Sequence, residues 1–261
     1  MLIFGFDVET TGLNPNLDVI TEVAAVWWDT DRHRAVLTEG LLVQTPGLIT
    51  TPQTEEITGV TADLCSQWGV NEASAIRRVH ALYTQADYAC AHNVPFDRKF
   101  FIKWCEKFGL DPQLDKVWID TERDIPYPER YRCHKLGHLA VEHGIFNPFA
   151  HQAVGDVYTM FAVLDKYDIN EVIGIAKSPT IKLKAHITYQ DVAYREEAKS
   201  KGFFACYYGN KFRFWWKAVK ECHLENLLNT ISFGVAKLTP EEELMIDNEE
   251  EEKRNTIANS A

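Results

Sequence analysis

The chain has 261 residues, 46% of them hydrophobic, and a formal net charge of −11, enough apolar material for one large domain or two smaller ones. No apolar run approaches the roughly twenty residues of a membrane span, and the start lacks the basic residues and small-residue cleavage site of a secretory signal, so a cytoplasmic protein without membrane contact is expected. Six cysteines, Cys65, Cys90, Cys105, Cys133, Cys206 and Cys222, are scattered without a C-x-x-C pair, which points to reduced thiols rather than a disulfide framework.

The first element, "LIFGFDV", has the apolar character of a buried strand, yet it carries Asp7 and leads into Glu9. Ionised carboxylates taken out of water cost several kcal/mol unless something positive pairs with them. No Lys or Arg lies in the first thirty residues. On a strand, positions i and i+2 share a face about 6.5 Å apart, so both side chains can converge on one divalent cation. Taken alone, a D-x-E pair is more often solvated acids on an edge strand, and the rest of the sequence has to decide.

"VITEVAAVWW" and "AVLTEGLLVQ" follow with strand character, separated by clusters of turn residues, and predict an antiparallel meander. Helical periods come next, in "NEASAIRRVHALYTQ", then a short buried strand "YACAHN", then a helix "PFDRKFFIKWCEKFG" with Pro in its first turn and Gly109 at its end. "KVWID" reads as a strand, and "KLGHLAVEHG" and "AVGDVYTMFAVLDKY" as helices. A meander followed by alternating helix and strand predicts an α/β fold, a ribonuclease H-like mixed sheet flanked by helices. Cys133, His134, His138 and His143 match no common zinc spacing, and a turn followed by an amphipathic helix accounts for them.

Beyond residue 176 the texture changes. "KSPTIKLKAH" reads as a linker into a small α+β unit comprising a strand "HITYQ", a helix "DVAYREEAKSKG", a hairpin turning at Gly209-Asn210 and a helix "HLENLLNTI". The last stretch, residues 240–261, is dense in acids with nothing evident to bury, as in a disordered or partly helical tail. The expected domains are therefore 1–176, 177–239 and the tail 240–261. Charge follows these limits. Residues 1–176 hold 25 acids and 14 bases, residues 177–223 hold 10 bases and 4 acids, and residues 240–261 hold 8 acids and 2 bases.

Two further acidic motifs complete the pattern. In "AHNVPFDRKF", Asp97 lies just inside a helix N-terminus, where the dipole favours negative charge and a capping carboxylate is the common occupant. In "HQAVGDVYTMF", five residues of continuous helix would set His151 and Asp156 about 140° apart. Both can face one site only if His151 lies on the loop before the helix.

Together "FDVETTGL", "HNVPFD" and "HQAVGD" resemble the three motifs of the DEDDh, or DnaQ-like, 3′-to-5′ exonucleases over roughly residues 1 to 170. Within that family, the basic aromatic C-terminal stretch is most similar to the exonuclease X-like enzymes. The resemblance implies a metal-dependent nuclease acting on the 3′ ends of single- or double-stranded DNA and releasing nucleoside 5′-monophosphates. It implies that Asp7, Glu9 and Asp156 hold one ion, that Asp7 also bridges to a second, and that Asp97 acts mainly through bound waters. His151 is then the general base, a role suited to an imidazole. Oxygen ligands without cysteine favour Mg²⁺ or Mn²⁺, two ions per site.

By the same likeness, Thr10, Thr11, Gly12 and Leu13 form a terminal-nucleotide pocket, Gly12 letting backbone approach the sugar and Leu13 wedging against the base. Asn93 and Phe96 line it, with Phe96 either a stacking face or core. Arg98 and Lys99 read either as phosphate contacts or as a solvated helix face. On the hairpin, Lys211, Arg213, Trp215 and Lys217 fall on one face by strict alternation, with Trp215 available to stack on a base. The same five residues would serve an RNA-trimming enzyme of the RNase T or oligoribonuclease kind, or a polymerase proofreading subunit. A non-catalytic nucleic-acid-binding adaptor is the reading from outside the enzymes. Oligomeric state is not legible.

Overall fold

The structure is a computed structural model that describes residues 1–209 and 211–258, with side chains through residue 249. It divides into two compact units, Met1–Lys177 and Ser178–Ala261. Among the described residues no helix is long and apolar enough to cross a membrane.

The first unit opens with the expected meander, β1 (Leu2–Thr10), β2 (Ile20–Asp29) and β3 (Arg34–Gln44), all antiparallel. It continues through α1 (Pro52–Thr58), α2 (Ala62–Trp68), the two-residue β4 (Val70–Asn71) and α3 (Glu72–Gln85) to β5 (Tyr88–Ala91). After these come α4 (Val94–Lys107), β6 (Trp118–Asp120), α5 (Leu136–Glu142), α6 (Ala153–Leu164) and α7 (Ile169–Lys177). The sheet order is β4-β3-β2-β1-β5-β6, with β5 parallel to β1 and β6 parallel to β5.

The period of two in β1 sets the layers. Phe4, Phe6 and Val8 pack on one face with Ile76, Val79 and Tyr83 of α3 and with Phe100 and Phe101 of α4. Ile3 packs on the other face with Val157, Met160 and Phe161 of α6. Gly5 shares this second face, and a Cβ there would stand 2.3 Å from the Phe161 ring and 2.8 Å from Val157. That missing side chain lets α6 lie close against β1. Asp7 and Glu9 continue the same face.

The second unit contains β7 (Thr180–Ala185), α8 (Val192–Ser200), β8 (Phe204–Tyr208), β9 (Lys211–Lys220), α9 (Leu224–Leu228), β10 (Val235–Lys237) and α10 (Pro240–Ala258). Its antiparallel sheet runs β10-β7-β9-β8. The segment read as a linker is therefore an interior strand, β7, and "HITYQ" is irregular chain. Leu183 and Ala185 of β7 alternate with Lys182 and Lys184, and this period of two is what seats the strand in the sheet. The turn expected at Gly209-Asn210 lies partly outside the described residues, as do 259–261.

The acidic stretch takes the helical of its two expected alternatives, and the expectation that it has nothing to bury is corrected. Residues 240–258 are helical, and Ile246, only 2% exposed, packs with Cys206, Phe214 and Leu238. A few apolar residues inside an acid-rich run suffice once a basic, aromatic sheet face is there to receive them.

Candidate active site

The register of β1 and β2 places Glu9 opposite Glu22, and the ladder breaks its spacing between Glu9 and Thr10. Asp156 lies in the first turn of α6, the helix that Gly5 admits to the sheet. Carboxylate oxygens of Asp7, Glu9 and Asp156 consequently lie within 4.8 Å of one another. Asp97, in the first turn of α4, is 2% exposed, and its Oδ1 is buried without a hydrogen-bond partner.

Burial raises the pKa of every one of these acids. The Asp7 carboxyl is held well above the ordinary carboxylate range by desolvation, then by the charges of Asp97, Glu9 and Asp156. Asp97 is raised by desolvation, against the backbone amide bonds that favour its charged form. Glu9 is pushed up to about 8 by burial, then by Glu22 and Asp156. Asp156 is raised by burial, opposed by its hydrogen bonds. Four acids that resist ionisation together form a site that a hard cation would relieve.

The loop before α6 is tied to the cluster. Asn147 Nδ2 donates to Asp156 Oδ1 at 2.9 Å, and the His151 backbone N–H donates to Asp156 Oδ2 at 3.1 Å. His151 is exposed and has a φ of 62°, a left-handed conformation few side chains adopt. It sits on the loop, as the spacing required, and its backbone N–H bond favours the ionised form of Asp156. Gly155 makes room for this loop, since a Cβ there would meet the Phe149 carbonyl oxygen at 2.6 Å.

The turn after β1 is internally bonded. Thr10 Oγ1 donates to the Gly12 carbonyl at 2.6 Å, and Thr11 Oγ1 donates to Asp18 Oδ1 at 3.2 Å. Gly12 is needed there because the Asp18 carboxylate occupies the space of its missing Cβ, 2.6 Å away. Leu13 is 70% exposed, while its carbonyl accepts from Lys99 Nζ at 2.7 Å. Asn93 caps α4 in a left-handed conformation with φ 74°. Phe96 is half-buried, 5.2 Å from the Phe100 ring and flanked by Lys99. Arg98 reaches the Leu114 carbonyl at 2.7 Å, so Arg98 and Lys99 bind loop carbonyls here.

The hairpin stripe does not hold as one face. A bulge opposite Cys206/Tyr207 makes Arg213 the extra residue of β9 and resets its alternation. Trp215 is thereby 4% exposed, packed with Leu183, Ala185 and Phe203, and is unavailable for stacking. Lys217 donates to the Lys201 carbonyl, and burial lowers its pKa. Lys211 and Arg213 remain exposed, the latter bonded to the Tyr208 carbonyl at 3.3 Å.

Sequence reasoning missed Glu22, Asn147 and Asp18. Glu22 was detectable in principle, as an acid set among the apolar residues of the second strand, but its position opposite Glu9 depends on hairpin register.

Comparison with known proteins places the first unit in a family. Residues 4–164 match the RNase T family, described as exonuclease. The PolC-type DNA polymerase III of Listeria welshimeri is 29% identical over 153 residues, covering 58% of this chain and 10% of that protein. The chain thus spans about a tenth of the length of such relatives. The DNA polymerase III subunit epsilon of Treponema pallidum is 25% identical over 188 residues, covering 68% of this chain and 84% of that one. Among solved structures, E. coli exonuclease I in complex with a dT13 oligonucleotide is similar with a TM-score of 0.59 at 18% identity, covering 94% of this chain and 68% of that chain. This likeness shows the fold, a mixed sheet flanked by helices of the ribonuclease H-like kind.

Proposed function

The chain belongs to the RNase T exonuclease family, and from that membership we propose that it is a metal-dependent 3′-to-5′ exodeoxyribonuclease releasing nucleoside 5′-monophosphates. One observation carries the reading: three carboxylates from two elements converge within 4.8 Å, beside the buried Asp97 with an unpartnered oxygen. The donor set fits divalent cations, being all hard oxygen with no thiolate. Asp7, Glu9 and Asp156 would hold one Mg²⁺ or Mn²⁺ ion, and Asp7 with Asp97 would serve a second. Bound there, two such ions neutralise the carboxylates, lower the pKa of the attacking water and stabilise the departing 3′ oxygen.

The protein's own part is positioning and proton transfer. His151, exposed on its loop and tied by its amide to Asp156, would take the proton of the attacking water. The turn of Thr10 to Leu13, with Asn93 and Phe96, would hold the terminal nucleotide, Leu13 presenting an open apolar side chain. Relatives named as DNA polymerase III chains and a neighbour bound to a dT13 oligonucleotide favour DNA over RNA. A proofreading subunit is the second reading, favoured by the extent of the likeness to the epsilon subunit.

The test is incubation with matched 5′-labelled single- and double-stranded DNA and RNA, with Mg²⁺, Mn²⁺ or EDTA. A ladder shortening stepwise from the 3′ end, abolished by EDTA and by Asp7→Asn, is expected. A protein that binds these substrates but never shortens them would be an adaptor instead.

A further inference from the structure

The two faces of the second unit's sheet differ in what covers them. One packs against α8 and α9 around Leu183, Trp215, Ala198 and Leu227. On the other, strand register sets Lys184, Trp216 and Phe204 in one row across β7, β9 and β8, with Lys182 two residues along. The Phe204 and Trp216 rings lie 6.0 Å apart, and Phe204 is 64% exposed. Lys184 Nζ sits 5.5 Å over the Phe214 ring.

The cover on this face is α10, the most acidic element of the chain. Glu242 pairs with Lys184, and Glu243 and Asp247 reach Lys182 at 3.6 and 3.4 Å. Ile246 anchors the helix, and Glu249 accepts from the Tyr207 amide at 2.9 Å. A line of carboxylates thus lies on lysines beside the exposed Phe204 ring and the half-buried Trp216. Phosphates spaced along a single strand would present the same charge to the same lysines, and its bases would find the rings. Duplex, whose bases are already stacked, would not use Phe204.

Resting on the nuclease reading above, we propose that the face of Lys182, Lys184, Phe204 and Trp216 binds single-stranded nucleic acid, and that α10 competes with it for the two lysines. The half-exposed pairs of Lys182 with Glu243 and Asp247 contribute little to folding stability and are readily exchanged for others, while Lys184–Glu242 is the more enclosed pair. The helix therefore tunes affinity through its charge.

The intact chain is titrated against a fluorescein-labelled oligodeoxythymidylate in EDTA, with binding read by anisotropy. Phe204→Ala, at an exposed position that folding tolerates, weakens binding at least fivefold. Neutralising the helix with Glu242→Gln, Glu243→Gln and Asp247→Asn together, which keeps its shape and the Ile246 anchor, tightens binding at least threefold. Lys182→Glu with Lys184→Glu weakens binding and flattens its salt dependence. A Phe204→Ala affinity within twofold of the wild type overturns the proposal, and so does a folded, neutralised helix that binds no tighter. Capture of an acidic peptide on this face with no response to oligonucleotide overturns it as well. Hydrolysis of thymidine 5′-p-nitrophenyl phosphate with Mn²⁺, read in parallel, stays unchanged in all variants; its absence in the wild type would count against the nuclease reading instead.

Discussion

Glu9 and Glu22 stand directly opposite each other on neighbouring antiparallel strands, and the repulsion between them adds to burial in pushing the Glu9 carboxyl up to about 8. Like charges set across a strand pair are destabilising. Such a pairing persists in a core sheet where something else benefits from concentrated negative charge. Here the benefit would fall to a cation.

The metal-free protein should lose stability as pH rises. Between about 4.5 and about 8 the folded Glu9 holds a proton that the unfolded chain has released, so unfolding releases protons and rising pH favours it. This contribution is complete below about 4.5 and gone above about 8, and Asp7, Asp97 and Asp156 act with the same sign. Thermal melts in EDTA from pH 5 to 8.5 should show a falling midpoint, and Mn²⁺ should restore several degrees at the alkaline end. A flat profile in EDTA would mean the acids are not confined together.

Asp7→Asn should separate function from stability. Removing a buried charge flanked by Asp97, Glu9 and Asp156 relieves repulsion, so the metal-free variant should melt at or above the wild-type temperature at pH 8. Its exonuclease turnover should fall by about a thousandfold or more, as the reaction loses about 4 kcal/mol of transition-state stabilisation. A variant that melts lower and still cleaves would contradict the assignment.

Asn147 positions Asp156, because its Nδ2 donates to Asp156 Oδ1 while its own Oδ1 accepts the Phe149 amide at 3.0 Å. Asn147→Ala should weaken Mn²⁺ affinity on the order of tenfold, the usual cost of losing a group that orients a ligand. Electron paramagnetic resonance titration of free Mn²⁺ measures this without substrate. Unchanged affinity would leave Asn147 as a loop residue only.

Gly5→Ala should disturb the site from beneath it. The added methyl would stand 2.3 Å from the Phe161 ring, and overpacking of this kind costs roughly 1 to 3 kcal/mol. A reduced urea midpoint with an unchanged m-value is expected. Activity should fall too, since α6 carries Asp156. Full activity at a lowered midpoint would show that α6 yields without moving its first turn.

Much of the site was legible in the residues alone. Asp7 and Glu9 alone have a bland explanation as solvated acids on an edge strand, and His151 with Asp156 can face one site only from a loop and a helix start; the three motifs read together are what single them out. The second unit was less legible. Strict alternation placed Trp215 outward, but one extra residue at Arg213 turned it into the core. The β7 segment, with lysines at every second position, looked like a linker until a sheet was there to use its other face.

The sequence by itself pointed to the family through the resemblance of three motifs and to the layered fold of the first unit through local periodicity, and it supplied the candidate side chains of the site. Tertiary structure alone decided that Glu22 opposes Glu9, that Asn147 grips Asp156 and that the acidic C-terminal helix lies on lysines and aromatic rings. These are matters of register and of contact between distant segments. A pattern read along the chain records which face a residue can take, while the partner on that face is chosen only when the segments pack.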